Sequence, residues 1–410
     1  MALRMTGAPD EKGLVDLPWH EPLADWPTEQ LVGLPRGLSR HVVRFVGVGD
    51  AVFAVKEIGA HAAWREYAVL RRLERSGVPS VVAVGIVDGR ASRSGVPLET
   101  ALLTRHLEFS LPYRALFSRT LRPDTATRLL DALAVLLVRL HLAGFYWGDC
   151  SLSNTLFRRD AGSFAAYLVD AETTEHHPAL SVGQRCYDVS MARTNIIGEL
   201  MDLQAGDLLD AEVDPIEIGD TIAARYADLW LALTEPEVFH VGERHRVEAR
   251  VRRLNELGFD VAELDVSRGD EDEVRIQPKV VDAGHHARRL LRLTGLDVEE
   301  NQARRLLNDL DAYSRDRTAT RVPEQVLAHR WLTEVFLPVV DALPRDLHGK
   351  LDQAEVFHEV LEHRWFLSEQ AGRDVGTAEA ATSYVDTVLR HKPDEKALLV
   401  PPDQQLDEAT

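Results

Sequence analysis

The chain has 410 residues, which is enough for two or three domains, and a content of 45% hydrophobic and 28% charged residues is typical of a globular protein. Its formal net charge of −19 argues against binding to nucleic acid or to an anionic membrane surface, because both would repel it. The only two cysteines, Cys150 and Cys186, exclude a disulfide framework and a four-cysteine zinc site. We therefore expect a reduced, cytoplasmic protein.

Residues 1–30 are rich in Pro, Asp, Glu and Trp and contain no apolar leader segment. They predict a poorly ordered or loosely docked arm, with Trp19 and Trp26 as candidate anchors. The most hydrophobic stretch of the chain, residues 129–142, is interrupted by charges and is too short to span a bilayer. The sequence thus predicts no transmembrane segment.

Four short runs after the arm have the composition of β-strands. Residues 41–46 and 51–58 flank a turn and predict a hairpin, and residues 81–88 and 100–105 predict two more strands. Between them, residues 61–76 predict a helix that ends at Gly77 and Pro79. The apolar face predicted for this helix consists of Trp64, Tyr67, Leu70 and Leu73.

The second strand carries a lysine, Lys56, in a chain that otherwise uses arginine. Of the 47 Lys and Arg residues only six are Lys, and Lys56 is the only one between Lys12 and Lys279. A lysine kept inside a strand favours a site that needs a compact ammonium group on a flexible stem. The alternative is a solvated lysine at the end of a strand.

Polar residues in a recognisable order follow a predicted helix at residues 123–144. Asp149 precedes Asn154 by five residues, and the apolar run 165–169 predicts a strand that ends directly before Asp170. Residues 189–204 and 218–233 predict further helices.

Taken in order, Lys56, Asp149, Asn154 and Asp170 resemble the motifs of the protein-kinase-like superfamily. The resemblance is closest to its lipopolysaccharide-kinase and aminoglycoside-phosphotransferase-like branches. It implies an α+β, two-lobed fold with a strand-rich first lobe and an α-rich second lobe, and an enzyme that uses ATP and Mg²⁺.

The resemblance also implies a role for each site residue. Asp149 would orient the acceptor hydroxyl, Asn154 and Asp170 would bind Mg²⁺, and Lys56 would contact the α- and β-phosphates. Glu66, with Glu74 as the alternative, would pair with Lys56. The remaining expected nucleotide contacts are the adenine-bordering residues Arg105, His106 and Leu107 and the phosphate-covering turn at Gly37 and Ser39, which is nearly as well explained as a plain hairpin turn.

Three departures from protein kinases bear on the acceptor. Trp147 and Gly148 replace the His-Arg that usually precedes the catalytic Asp, and Asp170 is followed by Ala-Glu instead of Phe-Gly. Only seventeen residues separate Asp170 from Asp188, which resembles the aspartate that braces the catalytic loop, so a long activation loop does not fit. A small-molecule, sugar or lipid-linked hydroxyl is the expected acceptor. A nucleotide-binding pseudokinase that acts as a scaffold and an AMP transferase are the alternatives.

Beyond the kinase-like part, the pattern predicts a mainly α-helical domain at residues 236–392, with a charged helix at 243–257 and strands at 260–266 and 273–281. The whole arrangement resembles actinobacterial kinase-like proteins that carry a C-terminal domain of unknown function, which could recruit a protein partner. The segment from His358 to His363 lacks the H-E-x-x-H spacing of a zinc protease and predicts a solvated helix face.

The expected domain limits follow from these changes in pattern. They are an arm at 1–30, a strand-rich lobe at 31–107, a helical lobe at 108–235, the C-terminal domain at 236–392 and a disordered acidic tail at 393–410.

Overall fold

A computed structural model describes residues 3–7, 12–34, 41–49, 51–117, 122–235, 237–240, 244–256, 259, 263–268, 273–279, 284–315 and 322–396. Its strands are β1 (Arg4–Thr6), β2 (Val43–Val48), β3 (Ala51–Ile58), β4 (Val82–Asp88), β5 (Thr100–Arg105), β6 (Ser110–Pro112), β7 (Phe145–Tyr146), β8 (Thr155–Asp160), β9 (Ser163–Leu168), β10 (Glu175–His176), β11 (Glu237–His240), β12 (Glu263–Arg268) and β13 (Glu273–Lys279).

Its helices are α1 (Ala60–Arg75), α2 (Tyr113–Leu116), α3 (Pro123–Leu142), α4 (Val182–Ala205), α5 (Pro215–Thr234), α6 (Arg244–Glu256), α7 (His285–Thr294), α8 (Glu300–Arg315), α9 (Glu324–Trp331), α10 (Leu337–Asp341), α11 (Gln353–Ala371) and α12 (Thr377–Thr387). The predicted α+β class is confirmed, with strands concentrated before residue 113 and helices prevailing after it. Within the described residues, no helix is long and apolar enough to cross a membrane.

The strands of the first lobe form one antiparallel five-stranded sheet in the order β1-β4-β5-β3-β2. In its register Lys56 on β3 lies opposite Leu102 on the central strand β5. β4 bulges between Ala83 and Gly85, where a side chain on Gly85 would meet the carbonyl oxygen of Thr6 on β1. A glycine at this position therefore lets β1 approach the sheet.

The buried face of helix α1 matches the prediction at Leu70 and Leu73 but not at Trp64. Its buried residues are Ala63, Glu66, Leu70 and Leu73, whereas Trp64 is 38% exposed. The spacing of three, four and three residues follows the helical repeat of 3.6, while a strict three-residue spacing drifts around the helix. Glu66 therefore lies on the face of α1 that packs against the protein.

The prediction of a loosely docked N-terminal arm was wrong. Trp19 and Trp26 are 3% and 4% exposed, and their rings meet edge to face at 5.2 Å beside the residues of β3 and β5 that form the core of the first lobe. The guanidinium of Arg90 donates to the carbonyl oxygens of Trp19 and Glu21. The two tryptophans are anchors as expected, and β1 adds a strand to the sheet.

After the first lobe, helix α3 leads into the short strand β7, which pairs with β10, and then into the β8–β9 hairpin, which β6 extends to three strands. Gly144 ends α3 with a φ of +80°, and a Cβ there would collide with the carbonyl oxygen of His177. This close backbone approach fixes the start of the loop that carries Asp149.

The described residues divide into two compact units, one formed by those within 1–157 and 166–224, the other by those within 158–165 and 225–396. In the second unit, β11, β13 and β12 form a sheet that includes the two predicted strands. Its helices enclose a core in which the rings of Trp331, Phe336 and Phe357 lie 5.1–6.0 Å apart.

Helix α11 is not the solvated helix that the sequence predicted between His358 and His363. His358 and Glu355 are 4% and 3% exposed, and His363 lies 3.0 Å from the hydroxyl of Ser383 on α12. These polar side chains are buried against other elements of the second unit. The sequence of α11 by itself does not indicate such contacts.

Replacing Trp19 with alanine should destabilise the first unit by about 3–5 kcal/mol, because it removes a buried ring and leaves a cavity. Trp365→Ala is the matched control, since Trp365 is 67% exposed and its loss should change stability by less than about 0.5 kcal/mol. The denaturant midpoint of each variant measures the difference. Two equally small changes would contradict a firmly docked arm.

Candidate active site

Lys56 is the cation around which the candidate site is built. Its Nζ donates to Glu66 Oε2 at 3.0 Å and to Asp170 Oδ2 at 2.9 Å, and Glu172 Oε2 lies 3.7 Å away. The three carboxylates come from α1 and from the segment after β9, so this ammonium joins three parts of the chain. The ion pair expected between Lys56 and Glu66 is present.

The charges around this lysine are unequal, because one ammonium faces three carboxylates. Burial raises the pKa of Glu66 to about 7, the charge of Asp170 adds to this shift, and Lys56 opposes it. Burial lowers the pKa of Lys56, but Glu66 and Asp170 outweigh it and the net shift is upward. The lysine is therefore held in its charged form, and among the described residues the carboxylates around it outnumber the cations.

Glu74, the alternative partner of Lys56, lies elsewhere. It accepts from Arg71 Nη1 at 2.7 Å on the exposed side of α1. His41, two residues before β2, also contacts this group of carboxylates. Its Nε2 lies 3.0 Å from Glu172 Oε2, so Glu172 links the start of β2 to the site.

The β8–β9 hairpin brings the two predicted metal ligands together. Asn154 directly precedes β8 and Val169 directly follows β9, and the amide of Val169 donates to the carbonyl oxygen of Asn154 at 3.0 Å. Asp170 is the next residue, and its Oδ1 accepts from the amide of Glu172 at 2.9 Å. The open end of one hairpin thus holds both residues in neighbouring backbone positions.

Asp149 lies in a fixed orientation between two amide side chains. Asn154 Nδ2 donates to its carbonyl oxygen at 3.0 Å and to its Oδ2 at 3.3 Å, while Asn195 Nδ2 donates to its Oδ1 at 3.2 Å. These bonds occupy the side-chain nitrogen of Asn154. Its side-chain oxygen, Oδ1, is therefore the atom suited to a cation.

The loop before Asp149 is held by Asp188 of α4, as the sequence predicted. The fully buried carboxylate accepts from the amides of Trp147 and Gly148 at 2.7 and 2.9 Å, and His141 Nε2 lies 3.0 Å away. Gly148 has a φ of +81°, which favours glycine, and a Cβ there would lie 3.1 Å from the carbonyl oxygen of Thr173. His141 thus helps to brace the loop through Asp188.

Sequence reasoning missed two further residues of α4. Besides Asn195, Glu199 accepts from the amides of Leu152 and Ser153 at 2.7 and 2.9 Å, and burial raises its pKa. Asp188, Asn195 and Glu199 follow one another at intervals of seven and four residues, so they share one face of the helix. This polar stripe in a long helix was the signal available in the sequence.

The predicted adenine contacts are only partly available as backbone donors. Arg105 is paired in the sheet with Phe53 and Val82, and the amide of His106 donates to the carbonyl oxygen of Val52 at 2.8 Å. Among the described residues no acceptor meets the amide of Leu107, so it is the donor that remains. Burial lowers the pKa of His106 to about 4, so its ring is neutral at pH 7.

Gly37 and Ser39 lie outside the described residues. Over the part of the chain that the structure describes, no three His, Cys, Asp or Glu side chains converge to hold a metal ion by themselves. The carbonyl oxygen of Asn154 and the carboxylate of Asp170 fit Mg²⁺ as a pair, since this ion keeps several waters and takes few protein ligands.

Comparisons with known proteins bear on this arrangement. Residues 50–182, which include Lys56, Asp149, Asn154 and Asp170, match the model of the lipopolysaccharide kinase (Kdo/WaaP) family. This part of the chain is similar to lipopolysaccharide kinases. The predicted resemblance is thereby confirmed, and the similarity supports a kinase-like phosphotransferase.

Residues 228–389 match the model of a domain of unknown function, DUF4032, in agreement with the expected C-terminal domain. No curated protein matches the chain. Among solved structures, one described as WaaP in complex with acyl carrier protein matches with 18% identity and a TM-score of 0.35, covering 63% of this chain and 99% of that chain.

Asp188→Asn should destabilise the loop by about 1–3 kcal/mol, because asparagine leaves one of the two buried backbone amides without an acceptor. Hydrogen exchange at Trp147 and Gly148 and the thermal midpoint measure the effect. Asp202→Asn, the same change on the exposed side of α4, is the control and should have little effect. Unchanged exchange in Asp188→Asn would show that the loop holds its shape without this carboxylate.

Proposed function

We propose that the chain is an ATP- and Mg²⁺-dependent phosphotransferase that phosphorylates a hydroxyl group. The observation that carries the proposal is the placement of Asp149, Asn154 and Asp170 around one hairpin end, with Lys56 paired to Glu66 and Asp170. Phosphoryl transfer depends mainly on positioning and on neutralising charge, and these residues supply both. ATP use favours the cytoplasm as the compartment.

Each residue has a separate task in this proposal. Lys56, held charged by Glu66, contacts the phosphates of the nucleotide, and Leu107 offers a backbone donor to the adenine. Asn154 and Asp170 hold Mg²⁺, which neutralises the phosphate charge when bound. Asp149 orients the acceptor hydroxyl and accepts its proton, and Asn154 and Asn195 keep its carboxylate aligned.

The acceptor we propose is a small molecule, a sugar or a lipid-linked sugar. The short segment between Asp170 and α4, which begins at Val182, leaves little room for a protein-binding activation loop. The similarity of residues 50–182 to lipopolysaccharide kinases supports the same class of acceptor. For the C-terminal domain, within the predicted limits 236–392, we propose a role in binding a protein partner.

The first experiment measures turnover of Mg²⁺-ATP against a panel of sugars, lipid-linked sugars and aminoglycosides. Mass spectrometry distinguishes a phosphorylated product from an adenylylated one, which would indicate AMP transfer. Nucleotide binding without product over the whole panel would favour the pseudokinase. An Asp170→Ala variant as active as the wild-type protein would refute the proposal.

Asp149→Asn should lower turnover by roughly 10²–10⁴-fold and leave the dissociation constant of Mg²⁺-ATP nearly unchanged, because the base acts in the transition state. Asp170→Asn should weaken Mg²⁺-ATP binding as well, because it removes the charge of a metal ligand. Calorimetry and steady-state kinetics measure the two quantities.

Asparagine at position 149 also places an amide against the amides of Asn154 and Asn195. A control must therefore distinguish the loss of these hydrogen bonds from the loss of the base at position 149. The double variant Asp149→Asn/Asn195→Asp restores a donor–acceptor pair at this contact without restoring the base at position 149. Its turnover should stay as low as that of Asp149→Asn. Recovery of turnover would mean that Asp149 only shapes the loop.

A further inference from the structure

The tip of the β8–β9 hairpin, residues 158–165, belongs to the compact unit formed by the C-terminal helices. Its central residue, Asp160, is 3% exposed. Asp160 Oδ2 accepts from the amide and the Nδ2 of Asn301 at 3.2 and 2.9 Å, and Oδ1 accepts from the amide of Gln302 at 2.8 Å. Asp160 therefore caps the N-terminus of α8 from a distant part of the sequence.

The next residues of the tip are held in the same unit. Glu355 Oε2 accepts from the amide of Ala161 at 2.8 Å and from Gln302 Nε2 at 2.9 Å, while Gln302 Nε2 also reaches the carbonyl oxygen of Arg159 at 3.1 Å. Arg159 forms a bidentate ion pair, in which its Nε and Nη2 donate to the carboxylate of Glu395 at 2.8–3.1 Å. We call these residues the hairpin-tip cluster: Arg159, Asp160, Ala161, Asn301, Gln302, Glu355 and Glu395.

The turn itself has a backbone conformation that a free hairpin would rarely adopt with this sequence. Ala161 has a φ of +50° and Gly162 one of +81°, and the first of these values disfavours a residue with a side chain. The bond from the amide of Ala161 to the buried Glu355 holds this conformation. The tip is therefore fixed by the cluster as well as by its own turn residues.

The cluster also buries more charge than a turn needs. Burial raises the pKa of Asp160 to about 7, and the nearby Glu299 adds to the shift despite three hydrogen-bond donors. Buried ionic groups of this kind are often no more stabilising than apolar side chains of similar volume. Their value lies in allowing one arrangement of donors and acceptors, and here that arrangement fixes the hairpin.

The other end of the same hairpin carries the proposed metal ligands. β8 begins one residue after Asn154, and β9 ends two residues before Asp170, with the bond between Val169 and Asn154 closing the open end. Because β8 and β9 are short and paired with each other, a change of register or twist at the tip would also displace Asn154 and Asp170.

We propose that Asp160 and Glu355 are positioning residues for the transfer reaction, which set the Asn154–Asp170 geometry by fixing the hairpin tip. This inference rests on the proposed function and gives the C-terminal domain a part in it. Neither residue touches the reacting groups, so the expected defect lies in the use of Mg²⁺ and not in the binding of metal-free nucleotide.

The test compares nucleotide dissociation constants with and without Mg²⁺, and turnover as a function of Mg²⁺ concentration, in the full-length chain. Asp160→Asn should raise the Mg²⁺ concentration for half-maximal binding or turnover by about tenfold, the lower end of the range for residues that orient metal ligands. Glu355→Gln should shift it in the same direction and serves as the second variant if Asp160→Asn does not fold.

Asp214→Asn is the matched control, because the Oδ1 of Asp214 also accepts from the first-turn amides of a helix, those of Ile216 and Glu217 in α5. It should leave the Mg²⁺ requirement unchanged. A folded Asp160→Asn or Glu355→Gln with the Mg²⁺ requirement of the wild-type protein would overturn the positioning role. A wild-type protein that binds no Mg²⁺-nucleotide would instead overturn the proposed function on which it rests.

Discussion

The candidate site depends on the ammonium of Lys56, which is mostly buried and must therefore have oppositely charged partners. Helix α1 and the segment after β9 supply these partners, so both must be correctly placed against strand β3 for the charge of Lys56 to be stable. Among the described residues, the three carboxylates around this ammonium carry more negative charge than one lysine neutralises. The Mg²⁺ of the nucleotide that we propose as a ligand would relieve the repulsion between Asp170 and Glu66. The arrangement of the carboxylates also explains a lysine in an arginine-rich chain, since a planar guanidinium could not contact three converging carboxylates so compactly.

A second set of buried polar groups makes the loop around Asp149 rigid. Asp188, Asn195 and Glu199 lie along one face of α4 and together accept from or donate to the backbone or side chains of residues 147–153. Loop amides that would otherwise need water are satisfied by one rigid helix. The direction of the Asp149 carboxylate is therefore set by the protein itself, and the transfer reaction that we propose requires such positioning.

The parts of this architecture that the sequence predicted are those with local signals. The strands at 51–58 and 100–105 were predicted to the residue because turns border them, and Lys56, Asp149, Asn154 and Asp170 were found from their order and spacing. The docked arm, the buried face of α11 and the cap that Asp160 provides for α8 were missed. In each case the decisive partner lies far away in the sequence, and periodicity carries no information about such a partner. Asp160 and Asn301, for example, are 141 positions apart.

The hairpin-tip cluster raises the question of why natural selection would keep buried charges where a small apolar contact could close the same turn. An apolar contact tolerates slippage, whereas a carboxylate with three donors is satisfied in one register only. Slippage at the tip would matter little for stability, but it would displace the two metal ligands that we propose at the open end of the hairpin. The polar solution is therefore costly for folding and useful for geometry. In the role that we propose, the C-terminal helices would act on the reaction without contributing an atom to the reacting groups, through the Asp160 carboxylate that caps α8.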